Sequence, residues 1–156
     1  MNTSTIHLIL VGDKGVGKTC FTEKLRSSRI IQNHQSKKGI ITTSFLFYGE
    51  KYHVPFEIHE VGNIELIDMV RATCCIIMFS TTDKQSYDNI GDWYEKIKEV
   101  YEKDEYKGYK IPIVICGNKV DSENRIVNRD KDIKYYDISG KSIYKPFISL
   151  ISKMLE

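Results

Sequence analysis

The chain reads as an α/β protein: a mostly parallel, six-stranded sheet with one antiparallel strand and helices on both faces. Three observations predict it. Residues 5–11 (TIHLILV), 74–79 (CCIIMF) and 111–116 (IPIVIC) are short apolar runs rich in β-branched residues, as strands covered on both faces by helices must be. Between them lie segments whose apolar residues recur three and four apart. At the carboxyl end of the first run, a glycine-rich loop leads directly into helical patterning, which is where open α/β sheets bind ligands.

In chain order, the run 5–11 is the first strand, and a helix begins near Lys18. Residues 41–60 read as two strands around a Tyr48-Gly49-Glu50-Lys51 turn, an antiparallel hairpin that breaks the alternation. The run 74–79 is a buried central strand. The helix after it has Ser86 as expected N-cap and an apolar stripe of Tyr87, Ile90, Tyr94, Ile97 and Tyr101, with Trp93 as a packing anchor. The run 111–116 is the next strand. The last helix, over 142–155, places Ile143, Phe147, Ile148, Ile151 and Leu155 on one face, with Pro146 tolerated near its start.

At 156 residues the chain is expected to form a single domain over 1–156, long enough to bury roughly 70% of its unfolded surface. A net charge of +2 argues neither for nucleic acid nor for an anionic membrane surface. Of four cysteines, no pair has metal-ligand spacing and three lie in the apolar runs, which reads as free thiols in a reducing compartment, cytoplasmic or nuclear. The N-terminus lacks a basic leader, and LISKMLE at the other end contains no cysteine, so neither a signal peptide nor a prenyl anchor is expected.

The glycine-rich loop is Gly-x-x-x-x-Gly-Lys-Thr from Gly12 to Thr19. Gly12, Gly15 and Gly17 allow the tight turns that aim main-chain N–H groups inward. The helix start adds its positive dipole end. Phosphate binding is therefore expected along Gly12, Asp13, Lys14, Gly15, Val16, Gly17, Lys18, Thr19 and Cys20, with Gly62 facing from downstream. Lys18 can reach the β- and γ-phosphates, and the Thr19 hydroxyl can ligate Mg²⁺.

Which nucleotide is bound is decided by IVICGNKVD. Asn118, Lys119 and Asp121 follow a buried strand, and a carboxylate there accepts hydrogen bonds from N1–H and the exocyclic amine of guanine. Adenine lacks that donor pair, leaving Asp121 desolvated and unpaired. The Lys119 stem can lie along the base while its ammonium braces the phosphate loop. Ser139, Gly140 and Lys141, in YYDISGKS, follow another strand and offer main-chain N–H groups to the guanine oxygen.

With these motifs the chain resembles the Ras-superfamily small GTPases across nearly its whole length. Within them it is most similar to Ran, through IIMF, IPIVICGNKVD, YYDISGKS and, more loosely, SYDNIGDW. The resemblance implies a P-loop NTPase small G-domain that binds GTP or GDP with Mg²⁺. A Ran-like identity implies a nucleus–cytoplasm switch bound by importin-type transport receptors and served by exchange or activating proteins. No direct nucleic-acid contact is expected, and a monomer is. Ran's acidic C-terminal extension has no counterpart here, so partners that embrace that tail are expected to bind weakly.

Departures from the family cluster where hydrolysis and switching occur. Lys14 replaces the glycine that approaches the γ-phosphate, where a side chain can intrude or can point harmlessly into solvent. Counting back from Gly39 puts Lys37 at the position of the Mg²⁺-binding threonine, and an ammonium cannot ligate a cation. Ile30 stands where an aromatic packs on guanine. In the second switch, HEVGN, strand alternation with Phe56 and Ile58 makes Glu60 the carboxylate facing the metal. Counting back from Gly62 would choose His59, but a hard cation prefers oxygen. Asn63 falls at the water-orienting glutamine and is one methylene shorter. Asn63 and Lys18 are the candidate catalytic residues, and Thr19 and Glu60 the candidate metal ligands.

Three functions compete: a divergent GTP/GDP-binding module with weak hydrolysis, an active switch dependent on an activating protein, and a P-loop nucleotide kinase. The guanine motif and the lack of an arginine-rich lid weigh against the kinase.

Overall fold

The computed structural model describes residues 4–28, 34–37, 39–51, 53–103, 110–118, 135–138 and 140–155. Seven strands form one sheet in the order β2-β3-β4-β1-β5-β6-β7. They are β1 (Ile6–Val11), β2 (His34–Lys37), β3 (Ile40–Tyr48), β4 (His53–Val61), β5 (Cys74–Ser80), β6 (Ile113–Asn118) and β7 (Tyr136–Asp137). The β4, β1, β5, β6 and β7 pairings are all parallel, and β3 alone runs against its neighbours. This is the expected mostly parallel sheet with one antiparallel strand, extended at its edge by β2. The residues of β2, HQSK, carry no apolar alternation, because a short edge strand is held by main-chain pairing with β3.

The expected hairpin is present, with Tyr48 opposite His53 across the turn. Strand β1 lies at the centre, between β4 and β5, and its alternation feeds two cores. Leu8 and Leu10 pack on one face with Phe21 and Leu25 of α1 (Lys18–Ser28) and with Phe147 and Leu150 of α4 (Lys145–Met154). Ile9 and Val11 pack on the other with Ile67 of the 3₁₀ helix Ile64–Met69 and with Ile90, Trp93 and Ile97 of α3 (Ile90–Tyr101). Helices therefore cover both faces, and among the described residues none is long and apolar enough to cross a membrane.

Two helix readings need correction. Ser86 is not an N-cap: Asp83 caps the short helix α2 (Lys84–Asp88), accepting from the Gln85 and Ser86 amides. The Ser86 hydroxyl, buried, instead accepts from the Ser80 amide at 2.9 Å and donates to the Asp83 carbonyl at 2.7 Å, tying the helix to the end of β5. The chain then restarts at Asn89 as α3, which shifts the buried stripe onto Trp93 and leaves Tyr94 exposed. In the last helix, Ile148 and Leu155 are exposed and Leu150 is buried in their stead. Within α4 the inward line runs through Phe147, Leu150 and Met154, and with apolar residues at adjacent positions spacing alone does not fix which line turns inward.

Candidate functional site

The loop after β1 is built around glycine because its neighbours leave no room for a side chain. Gly12 has φ +149°, and a Cβ there would collide with the Met78 carbonyl oxygen. Gly17 has φ +100°, and a Cβ there would collide with Asn118 Nδ2. That second approach is informative. The Asn118 amide donates to the Val16 carbonyl at 3.1 Å and to the Gly17 carbonyl at 3.4 Å, so the end of β6 is fastened directly to the loop. Asn118 thus braces the loop, while Lys119, the residue expected to do so from the sequence, lies outside the described residues.

Lys18 is only 6% exposed, and its ammonium donates to the Gly12 carbonyl at 2.5 Å and the Asp13 carbonyl at 2.9 Å. Burial lowers its pKa, against the raising influence of Glu60 and Asp13. An ammonium so desolvated is a strong attractor for anionic phosphate. Beside it the Thr19 hydroxyl donates to Glu60 Oε1 at 2.5 Å. Glu60 is 6% exposed, and its Oε2 has no hydrogen-bond partner among the described residues. A hydroxyl and a buried carboxylate with an uncommitted oxygen are the donor set a hard divalent cation takes, so the residues fit Mg²⁺.

His59 points to the other face of β4, where Thr42 and His7 flank it. Glu60 is therefore the residue on the loop's side, as alternation along the strand predicts. The open cleft beside the loop has a volume of about 810 Å³ and is lined by Lys14, Gly39, Gly62 and Asn63 as well as by loop residues. That is in the range of small-molecule sites, which run to roughly 1,000 Å³.

Not every residue assigned to the phosphates turns its side chain to them. The Asp13 carboxylate accepts from Asn89 Nδ2 at 2.6 Å and from Trp93 Nε1 at 2.8 Å, so it anchors the loop to α3 and leaves the cleft to its main chain. Val16 is buried in the core, whereas Lys14 and Cys20 are exposed. The Asn63 side chain accepts from the Glu65 amide at 3.0 Å, capping the 3₁₀ helix. Lys37 belongs to β2, and Gly39, just before β3, adopts φ +83°. Ile30, Lys119, Asp121 and Ser139 lie outside the described residues, and Gly140 and Lys141 begin the 3₁₀ turn before α4. Sequence reasoning missed Asn89, whose partner is 76 residues away and leaves no local signal.

A glycine loop between a parallel strand and a helix, closed by a buried lysine and a threonine–carboxylate pair, defines a P-loop nucleotide-binding protein. The family model for the Ras family matches residues 7–154, and the chain belongs to that family. It is thus a small GTP-binding protein, of a family whose members bind GTP or GDP with Mg²⁺.

Proposed function

We propose that the chain is a Ran-like member that grips guanine nucleotide and hydrolyses GTP slowly, acting as a switch or interaction module. The observation that carries this reading is the bond from the Glu65 amide to Asn63 Oδ1. The only acceptor of the carboxamide at the water-orienting position is turned toward its own helix. Asparagine is also one methylene shorter than glutamine, and a displacement of about 1 Å can cost on the order of 10²-fold in rate. Lys14 supports the same reading, since it lines the cleft where the family keeps a glycine.

Thr19 and Glu60 would hold Mg²⁺, which supplies charge neutralisation to the β- and γ-phosphate oxygens. Lys18 would exchange its loop carbonyls for phosphate oxygens. Asp121 would select guanine, with Asn118 holding the start of that motif against the loop. Importin-type receptors and exchange or activating proteins are the proposed partners, met as a monomer in the cytoplasm or nucleus.

Single-turnover hydrolysis of bound GTP with Mg²⁺ tests this. The expected unaided rate lies below the roughly 10⁻⁴ s⁻¹ of ordinary members, and Lys14→Gly with Asn63→Gln and Lys37→Thr should raise it. A wild-type rate at the ordinary value, or a triple variant no faster, overturns the reading.

A further inference from the structure

On the face of the sheet turned away from Glu60, three ligand-bearing side chains converge from two adjacent parallel strands. His7 lies opposite Glu57 in the β1–β4 register, and His59 is two residues further along the same face of β4. His7 Nδ1 stands 3.1 Å from His59 Nε2 and 3.4 Å from Glu57 Oε2, while His59 Nε2 to Glu57 Oε2 is 4.0 Å. Two nitrogens and an oxygen bound tetrahedrally at about 2.0–2.1 Å would be about 3.3 Å apart, so two edges of the triangle nearly fit and the third needs a small side-chain rotation.

Among the described residues, the nucleotide cleft and this cluster share no side chain. We propose that His7, Glu57 and His59 bind a divalent transition-metal cation of the zinc class, with a fourth coordination position open to solvent. Zinc sites of three protein ligands and one open position take this nitrogen–oxygen set, whereas Mg²⁺ prefers oxygen and retains its waters.

The surroundings support the assignment. His59 Nδ1 is 3.0 Å from the Thr42 hydroxyl, on the neighbouring strand β3. With Nδ1–H donated to Thr42, the lone pair of Nε2 faces the cluster, an outer contact typical of ligating histidines. His59 is 16% exposed, while His7 and Glu57 are 43% and 39% exposed, so the cluster is both anchored and reachable. It opens on a hollow of about 610 Å³ whose wall includes Met69, Val70 and Arg71. The Arg71 guanidinium opposes a cation there, which bears on affinity and leaves the ligand set unchanged. Because the ligands sit on paired strands, the ion would clasp β1 to β4, one residue from Glu60.

The test uses the full chain, treated with chelator, loaded with GDP and held in excess Mg²⁺ to keep zinc off the phosphates. Zn²⁺ titrated by calorimetry should bind one to one, and X-ray absorption should show only nitrogen and oxygen neighbours, including imidazole. His7→Ala and Glu57→Gln should each weaken binding at least tenfold, and Thr42→Val about tenfold. His53→Ala, at an exposed position near the hairpin turn, should not change it. Zn²⁺ should also raise the melting temperature of the wild type but not of His7→Ala. If His7→Ala does not fold, Glu57→Gln carries the comparison at a half-buried site. Absence of binding, unchanged affinity in the Glu57→Gln variant, sulfur in the metal shell or an oxygen-only shell each overturns the proposal.

Discussion

The Trp93 indole N–H donates to Asp13 Oδ1 at 2.8 Å, linking α3 to the phosphate loop across 80 residues of sequence. With Asn89 on the other carboxylate oxygen, Asp13 has its two best acceptor sites committed to one helix. Removing the carboxylate in Asp13→Ala strands a buried indole N–H and an amide, which should cost about 1–3 kcal/mol in chemical denaturation. Trp93 is the only tryptophan, so its emission should change when GDP or GTP occupies the loop. In Asp13→Ala that change should largely disappear. An unaltered fluorescence response would show that the loop and α3 are not coupled through this bond.

The contact between Gly17 and Asn118 predicts a difference between two glycines of similar conformation. Gly15, at φ +84°, has open space where a Cβ would go, whereas Gly17 meets the Asn118 amide. Gly15→Ala should carry only the backbone strain of a left-handed residue, about 1–3 kcal/mol. Gly17→Ala should be more destabilising than Gly15→Ala and should abolish nucleotide binding as well. Equal losses in a denaturant series would remove Asn118 from its bracing role.

Glu60 offers a test of the proposed cation site that separates stability from binding. Its charge favours the buried Lys18 ammonium, so Glu60→Gln should lower stability without Mg²⁺, a loss that chemical denaturation reads apart from nucleotide binding. In the presence of Mg²⁺ the same change should speed nucleotide dissociation at least tenfold, because one charged oxygen ligand is lost. Dissociation of a fluorescent GDP analogue with and without chelator measures the second effect. Insensitivity of the Mg²⁺ effect to Glu60→Gln would assign the cation elsewhere.

In the proposed reading, nucleotide selection rests on Asp121. GTP and GDP should bind with ATP unable to compete, and Asp121→Asn should shift preference toward xanthosine nucleotides, whose 2-oxo group accepts from the new amide. Lys18→Ala should remove most of the phosphate affinity. Competition titrations read both, and ATP competing on equal terms would refute guanine selection.

The thiols should differ sharply in reactivity. Cys74, Cys75 and Cys116 are fully buried, and burial raises all three pKa values, that of Cys74 to about 12. Thiolate is the reactive form, so these three should resist alkylation in the native protein at neutral pH. Cys20, exposed in the first turn of α1, should react alone, and saturating nucleotide should slow it because Cys20 lines the phosphate cleft. Labelling of two or more thiols before unfolding, read by mass spectrometry, would contradict the packing of β5 and β6.

Much of the fold was legible because its determinants are local. Apolar runs without alternation can be stable only between two helical layers, and the phosphate loop needs glycines at fixed spacing to turn its amides inward. Glu60 was placed on the loop's side by the two-residue period of β4, a property of any extended chain. The errors fell where local rules compete. Ser86 and Asp83 are both good capping residues, and Asp83 won because the Ser86 hydroxyl is held by the end of β5. In the last helix, apolar residues stand side by side, Phe147 with Ile148 and Leu150 with Ile151, so spacing alone leaves two faces open.

By itself, then, the sequence determined every strand of the sheet except the edge strand β2, the phosphate loop and the side of β4 that carries Glu60, because periodicity and backbone stereochemistry act over a few residues. Only the tertiary structure decided which side chains meet: Asp13 with Trp93, Asn118 with Gly17, and His7 with His59 and Glu57. Those pairs lie far apart in the chain, and their contact depends on strand order and register, which come from packing two cores at once.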